Sequence, residues 1–225
     1  MALVTLENLT LKYEGKVVLN KVNFEINEGD FICVVGENGT GKSTLIKSLV
    51  GLKNIDDGNM TFGGLKKSDI GYIAQQNNIQ DNFPASVFEV AMQGLENSKT
   101  LSFFYGREEK ALVLNALKKL GLEHLCNTPI NELSGGLQRR VLLCRALMSS
   151  KKLIVMDEPT SSLDNLSAKE IYKTTKQLCE DEKMAAVVVL HDLDNAINYA
   201  NKILLIKNDS YKMLTPSEYL KEAGI

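Results

Sequence analysis

The sequence predicts an α/β fold: a mostly parallel sheet core, an antiparallel β part at the N-terminus, and an inserted α-helical subdomain. Three observations lead there. Continuous apolar runs at residues 31–35, 153–156 and 185–190 suit strands buried on both faces, as in parallel sheets. The first residues alternate polar and apolar, as a half-exposed strand does. From about Gln76 to Ala146 the apolar spacing turns helical.

The elements follow in order. Alternation through Leu3-Val4-Thr5-Leu6 gives a strand, and Val17-Val18-Leu19 a second. Asn27-Glu28-Gly29-Asp30 is a turn, followed by the buried run 31–35 and then a glycine-rich loop. Residues 43–52 carry helical spacing, and Gly58 and Gly63-Gly64 punctuate another strand pair. Helices are expected over 86–92, 108–120 and 137–148, residues 203–206 read as the last strand, and 219–225 as a short tail. The 225 residues suit one domain. Within 1–225, segments 1–75 and 151–225 form the core with its β part, and 76–150 the helical lobe.

Composition excludes several classes. The net charge of −2 offers no basic field for nucleic acid. Cys33, Cys126, Cys144 and Cys179 are scattered, with no C-x-x-C pair and no His at metal-ligand spacing, so they read as free thiols in a reducing cytoplasm. No leader pattern is visible. The densest apolar run, 184–190, falls far short of the ~20 residues that span a bilayer. Work at a membrane therefore needs a partner's membrane segments.

Gly36-Glu37-Asn38-Gly39-Thr40-Gly41-Lys42-Ser43 fits the phosphate-binding pattern G-x-x-x-x-G-K-[ST], between a buried strand and a helix. Its glycines let successive N–H groups point at phosphate oxygens, and the helix N-terminus adds positive potential. Lys42 suits the β/γ-phosphates of a nucleotide, Ser43 a Mg²⁺ ion, and Thr44 a phosphate oxygen. The apolar strand Leu153-Ile154-Val155-Met156 ends in Asp157-Glu158. Such a strand delivers Asp157 to the sheet edge beside the phosphate loop, where it can hold Mg²⁺. Glu158, one residue on, can orient or deprotonate an attacking water.

This order of motifs resembles the ATP-binding subunit of ABC transporters over nearly the whole chain. Leu133-Ser134-Gly135-Gly136, just before a helix, resembles the signature that separates this family from other P-loop ATPases. The resemblance implies the ABC ATPase fold, ATP hydrolysis, and the following roles. Ser134, Gly135 and Gly136 contact the γ-phosphate of ATP bound on an opposite subunit, so two copies form a homodimer with two completed sites. Tyr13 stacks on adenine. Gln75, with Gln76 beside it, reaches Mg²⁺ and the attacking water. Asp164, in Ser161-Ser162-Leu163-Asp164, belongs to the loop that crosses the dimer seam. His191, followed by Asp192-Leu193, contacts the γ-phosphate. His124 has no motif around it and reads as surface. One departure stands out: Leu137 occupies a place where the family usually has Gln. Catalysis is expected to survive it, since the phosphate contacts are Ser134 and backbone.

The stretch Asp81-Asn82-Phe83-Pro84-Ala85-Ser86-Val87-Phe88-Glu89-Val90, then Gly94, Phe103-Phe104 and Gly121-Leu122-Glu123-His124-Leu125, is similar to ATPases of the zinc/manganese/iron importer group. That resemblance implies uptake of a divalent metal through transmembrane permease subunits, indirect work with an extracellular metal-binding protein, and a place on the cytoplasmic face of the cell membrane. An exporter or lipoprotein-release ATPase is the alternative. A soluble ABC switch on ribosomes or DNA is a further one, less favoured because a second cassette and a coiled-coil insertion are both missing.

Overall fold

The computed structural model describes residues 1–75, 84–98, 105–150, 152–161, 163–190, 197–207 and 210–224. Two sheets frame it. Strands β1 (Ala2–Tyr13), β2 (Lys16–Asn27) and β4 (Asp57–Phe62) make an antiparallel sheet in the order β2-β1-β4. The second sheet has six strands. They are β3 (Phe31–Gly36), β5 (Gly71–Ile73), β6 (Leu153–Asp157), β7 (Ala185–Val189), β8 (Lys202–Lys207) and β9 (Ser210–Leu214), in the order β5-β6-β7-β3-β8-β9. Every pairing in it is parallel except β8 with β9.

The central strands are apolar throughout because each serves two cores. Successive side chains of a strand point to opposite faces. Cys33, Val35, Ile154, Met156, Ala186 and Val188 therefore join one apolar cluster. Ile32, Val34, Leu153, Val155, Val187 and Val189 join the other. The first cluster is closed by α2 (Val87–Met92), α3 (Arg107–Lys119), α4 (Gly135–Ser149) and α5 (Asn165–Glu182). The second is closed by α1 (Lys42–Leu49) and the apolar face of β1 and β2. The helices α2, α3 and α4 all fall between β5 and β6 in the chain.

Two expectations at the C-terminal end need correction. Residues 203–206 are not the last strand, because β9 follows and pairs antiparallel with β8. It is a half-exposed edge strand without the apolar run that marks the central ones. The Tyr211 hydroxyl fastens it to the other sheet, accepting from the Asn23 N–H at 2.7 Å and donating to the Asn23 carbonyl at 3.0 Å. Nor is 219–225 a bare tail: α6 (Pro216–Ala223) begins earlier. Thr215 and Glu218 form a reciprocal capping box, and Pro216 sits in the first turn, where its missing N–H costs nothing. The expected strand pair around Gly58 and Gly63-Gly64 is one strand, β4, paired to β1. Cys33, Cys144 and Cys179 are buried and, with Cys126, carry free thiols. Burial pushes Cys144 and Cys179 up to about 12, so neither is a ready nucleophile.

Candidate active site

The phosphate loop leaves β3 and enters α1 at the C-terminal edge of the parallel sheet. Gly41 makes the turn into the helix at φ +94°, a left-handed conformation that L side chains rarely adopt. A Cβ there would also press on Val18 at 3.0 Å. No side chain caps α1 and no acid sits in its first turn, so its N-terminal N–H groups stay available to an anion. Thr40 tightens the loop, its hydroxyl donating to the Glu37 carbonyl at 2.9 Å. The Lys42 ammonium donates to the Gly36 and Glu37 carbonyls at 2.8 and 2.7 Å, at the centre of the loop. Burial lowers its pKa, while the charges of Glu158 and Asp157 act the other way.

Strand β6 brings the acids to the same edge. Asp157 is 2% exposed, and its carboxylate accepts from the Ser43 hydroxyl at 3.2 Å. Burial raises its pKa above the ordinary carboxylate range; the Ser43 bond opposes this, and the Glu158 charge adds to it. A buried carboxylate beside a hydroxyl is a set of hard oxygen donors, and it fits Mg²⁺. Glu158 follows at φ +47°, an unusual conformation for a non-glycine residue and one found where surrounding structure holds a functional side chain in place. Its carboxylate accepts from the Gln75 side-chain amide at 2.7 Å.

One cleft of about 600 Å³ is lined by Tyr13, Asn38, Gly39, Gly41, Lys42, Ser43, Thr44, Gln75 and Glu158 among others; Gly36, Glu37, Thr40 and Asp157 do not line it, Asp157 standing behind Ser43. Tyr13, at the end of β1, is 56% exposed. Val18, Lys47 and Lys53 also line the cleft, and sequence reasoning missed them. A signal existed for Lys47, which stands four residues after Ser43 on α1 and so shares its face.

The signature segment is elsewhere. Ser134 caps α4, accepting from the Leu137 N–H at 3.5 Å, and Gly135 opens the helix. Ser134, Gly135 and Gly136 do not line the cleft. Asp164 caps α5, accepting from the N–H groups of Leu166 and Ser167, both at 3.0 Å, and from the Ser167 hydroxyl at 2.8 Å. His191, Gln76, Ser162 and the Asp192-Leu193 pair lie outside the described residues, as do Asp81-Asn82-Phe83 and Phe103-Phe104. His124 is exposed in a short 3₁₀ turn. Among the described residues, no group of three or more His, Cys, Asp or Glu side chains could hold a metal ion.

A sequence profile described as ABC transporter matches residues 19–161, from β2 through the phosphate loop, the signature and the Asp157-Glu158 corner. The chain belongs to the ABC transporter family. It is an ATP-binding subunit and an ATPase, and its fold is the ABC ATPase fold. The zinc uptake system ATP-binding protein ZurA of Listeria innocua is 32% identical over 211 residues, covering 91% of this chain and 82% of that protein. The manganese transport system ATP-binding protein MntB of Bacillus subtilis is 34% identical over 207 residues, covering 90% and 82%. Among solved structures, cbiO1 of Clostridium perfringens, part of the ABC transporter complex cbiONQ, superposes with a TM-score of 0.85 at 27% identity, covering 99% of this chain and 92% of that one. Residues 133–136 lie within the stretch that the profile matches and stand apart from the chain's own cleft.

Proposed function

We propose that this ABC ATPase powers uptake of a divalent metal ion, zinc or manganese, and does so as a homodimer with ATP between two copies. The pairing of Glu158 with Gln75 in the lining of the phosphate cleft carries the catalytic half of this reading. ATP would lie with its phosphates on Gly36 to Thr44 and its adenine on Tyr13, an aromatic face suited to stacking. Ser43, Asp157 and Gln75 would hold Mg²⁺, which when bound neutralises charge on the β- and γ-phosphates. Glu158 orients and deprotonates the attacking water, with Gln75 fixing the carboxylate and His191 contacting the γ-phosphate.

The dimer half rests on the separation of Ser134, Gly135 and Gly136 from the cleft. A second copy packed head to tail would bring each signature, with its helix N-terminus, to the other copy's γ-phosphate. Asp164 would then lie at the seam. ATP can do work only by binding the closed pair more tightly than the open one, and hydrolysis removes that difference.

No helix among the described residues is long and apolar enough to cross a membrane. Transmembrane permease subunits would supply the spans and hold this chain at the cytoplasmic face of the cell membrane. The metal would arrive from an extracellular metal-binding protein. The likeness to ZurA and MntB over about nine-tenths of the chain supports this cargo. The test is total cellular zinc, manganese and iron by elemental mass spectrometry under metal limitation, in native cells and in cells carrying Glu158→Gln. A selective fall in one metal supports import and names it. A rise means export, and no change in any metal rules out the metal cargo.

A further inference from the structure

Arg139 is the fifth residue of α4 and only 9% exposed. A guanidinium there has lost most of its water, and one expects every N–H to be matched. Its Nη2–H donates to the Gln75 backbone carbonyl at 3.3 Å, while Nη1 is buried with no hydrogen-bond partner among the described residues. Among the described residues no acid pairs with it, and burial lowers its pKa. An ion held at such a cost at the junction of two elements asks for a role beyond packing.

Its position gives one. Gln75 bonds Glu158 through its side chain and Arg139 through its main chain. Arg139 in turn stands five residues after Ser134, the N-cap of the same helix. The far half of α4 lies directly on β5, since a Cβ on Gly71 would come within 2.4 Å of the Ala146 carbonyl. Strand β5 leads straight to Gln75. A continuous path therefore runs from the Glu158 carboxylate through Gln75 and Arg139 to the signature end of α4.

We propose that Arg139 is a positioning residue that couples the two nucleotide sites of the dimer. This rests on the two-copy reading above. A shift of Gln75 in one site moves Arg139, and with it the signature that serves the opposite nucleotide. The unmatched Nη1 leaves the guanidinium a second donor for an acceptor that a rearranged junction would bring.

The test uses the purified full-length chain with MgATP. Wild type is expected to hydrolyse with a Hill coefficient approaching ~2, the limit for two sites. Arg139→Met keeps the unbranched apolar stem, about as far as the arginine Nε, without the charge and the donors. It should bring the coefficient to about 1 and kcat down about tenfold, since two tied groups cease to act as a unit. Its affinity for a fluorescent ATP analogue without Mg²⁺ should stay within about twofold, because the cleft is untouched. Arg139→Lys keeps the cation without the planar fork and should recover part of both kinetic losses. If Arg139→Met fails to fold, Arg139→Gln carries the same comparison. Wild-type cooperativity in the neutral variant overturns the coupling role, as does a lower kcat with an unchanged Hill coefficient. A wild type that is non-cooperative, with Glu158→Gln staying monomeric in ATP, would instead overturn the two-copy reading and the coupling with it.

Discussion

The Gln75 amide and the Glu158 carboxylate meet at 2.7 Å across 83 residues of sequence, one two residues past β5 and the other just past β6. Neighbouring parallel strands make that meeting possible: Ile73 pairs with Met156, so the residues that follow leave the sheet side by side. Gln75→Ala removes the donor and frees the carboxylate to turn. The expected result is a fall in kcat of about tenfold, with nucleotide affinity changed less than about threefold, since a net hydrogen bond to a charged group is worth ~1.5–3 kcal/mol. Phosphate release under saturating ATP checks it.

Lys42 donates to two loop carbonyls and stands where phosphate charge would gather. Lys42→Ala should weaken ATP binding by at least about tenfold, the loss expected from one charge-assisted contact. Titration with a fluorescent nucleotide measures it directly. Affinity within twofold of wild type would contradict the assignment.

Asp157 is buried with its pKa raised, chiefly by burial. A carboxyl raised above its unfolded value favours the folded state when protonated. Stability from this group is thus greatest at low pH and is lost as pH rises from the unfolded value through the raised one. Asp164 has the opposite sign: its bonds to Ser167, first the backbone and then the side chain, lower its pKa. Its contribution is present above the unfolded value and is lost as pH falls through the lowered one. Asp157→Asn should therefore raise the melting temperature at pH 7, without nucleotide, by about 2–4 °C, while abolishing the stabilisation that Mg²⁺ with ATP gives the wild type. Thermal scans with and without MgATP test both halves.

Leu137 is half-buried against the apolar cluster on the α4 side of the sheet, and its backbone N–H, not its side chain, bonds Ser134. Leu137→Gln should change nucleotide affinity only slightly. A loss of more than tenfold would refute that.

Much of this was legible beforehand, for reasons visible in particular residues. Strands β3, β6 and β7 could be read because both faces of each are buried, which leaves no polar interruption in the run. The phosphate loop and Asp157-Glu158 could be read because their parts are contiguous in the chain. Edge strand β9 carries no such run, and the capping box of α6 was present in Thr215-Pro216-Ser217-Glu218 but unread. Arg139 was out of reach: its neighbour Gln75 is 64 residues away, and nothing local announces a buried guanidinium on a helix whose next residue is a half-buried arginine. Lys53 likewise reaches the cleft only through the fold.

The most direct test of the central claim, a two-copy ATPase with Glu158 as the hydrolytic base, is gel filtration of Glu158→Gln with MgATP, alongside its ATPase rate. The account predicts a rate down by at least about 100-fold, ATP still bound, and a shift from monomer to a stable dimer that ADP does not produce. A variant that binds ATP but elutes only as monomer, or that hydrolyses at the wild-type rate, would contradict it.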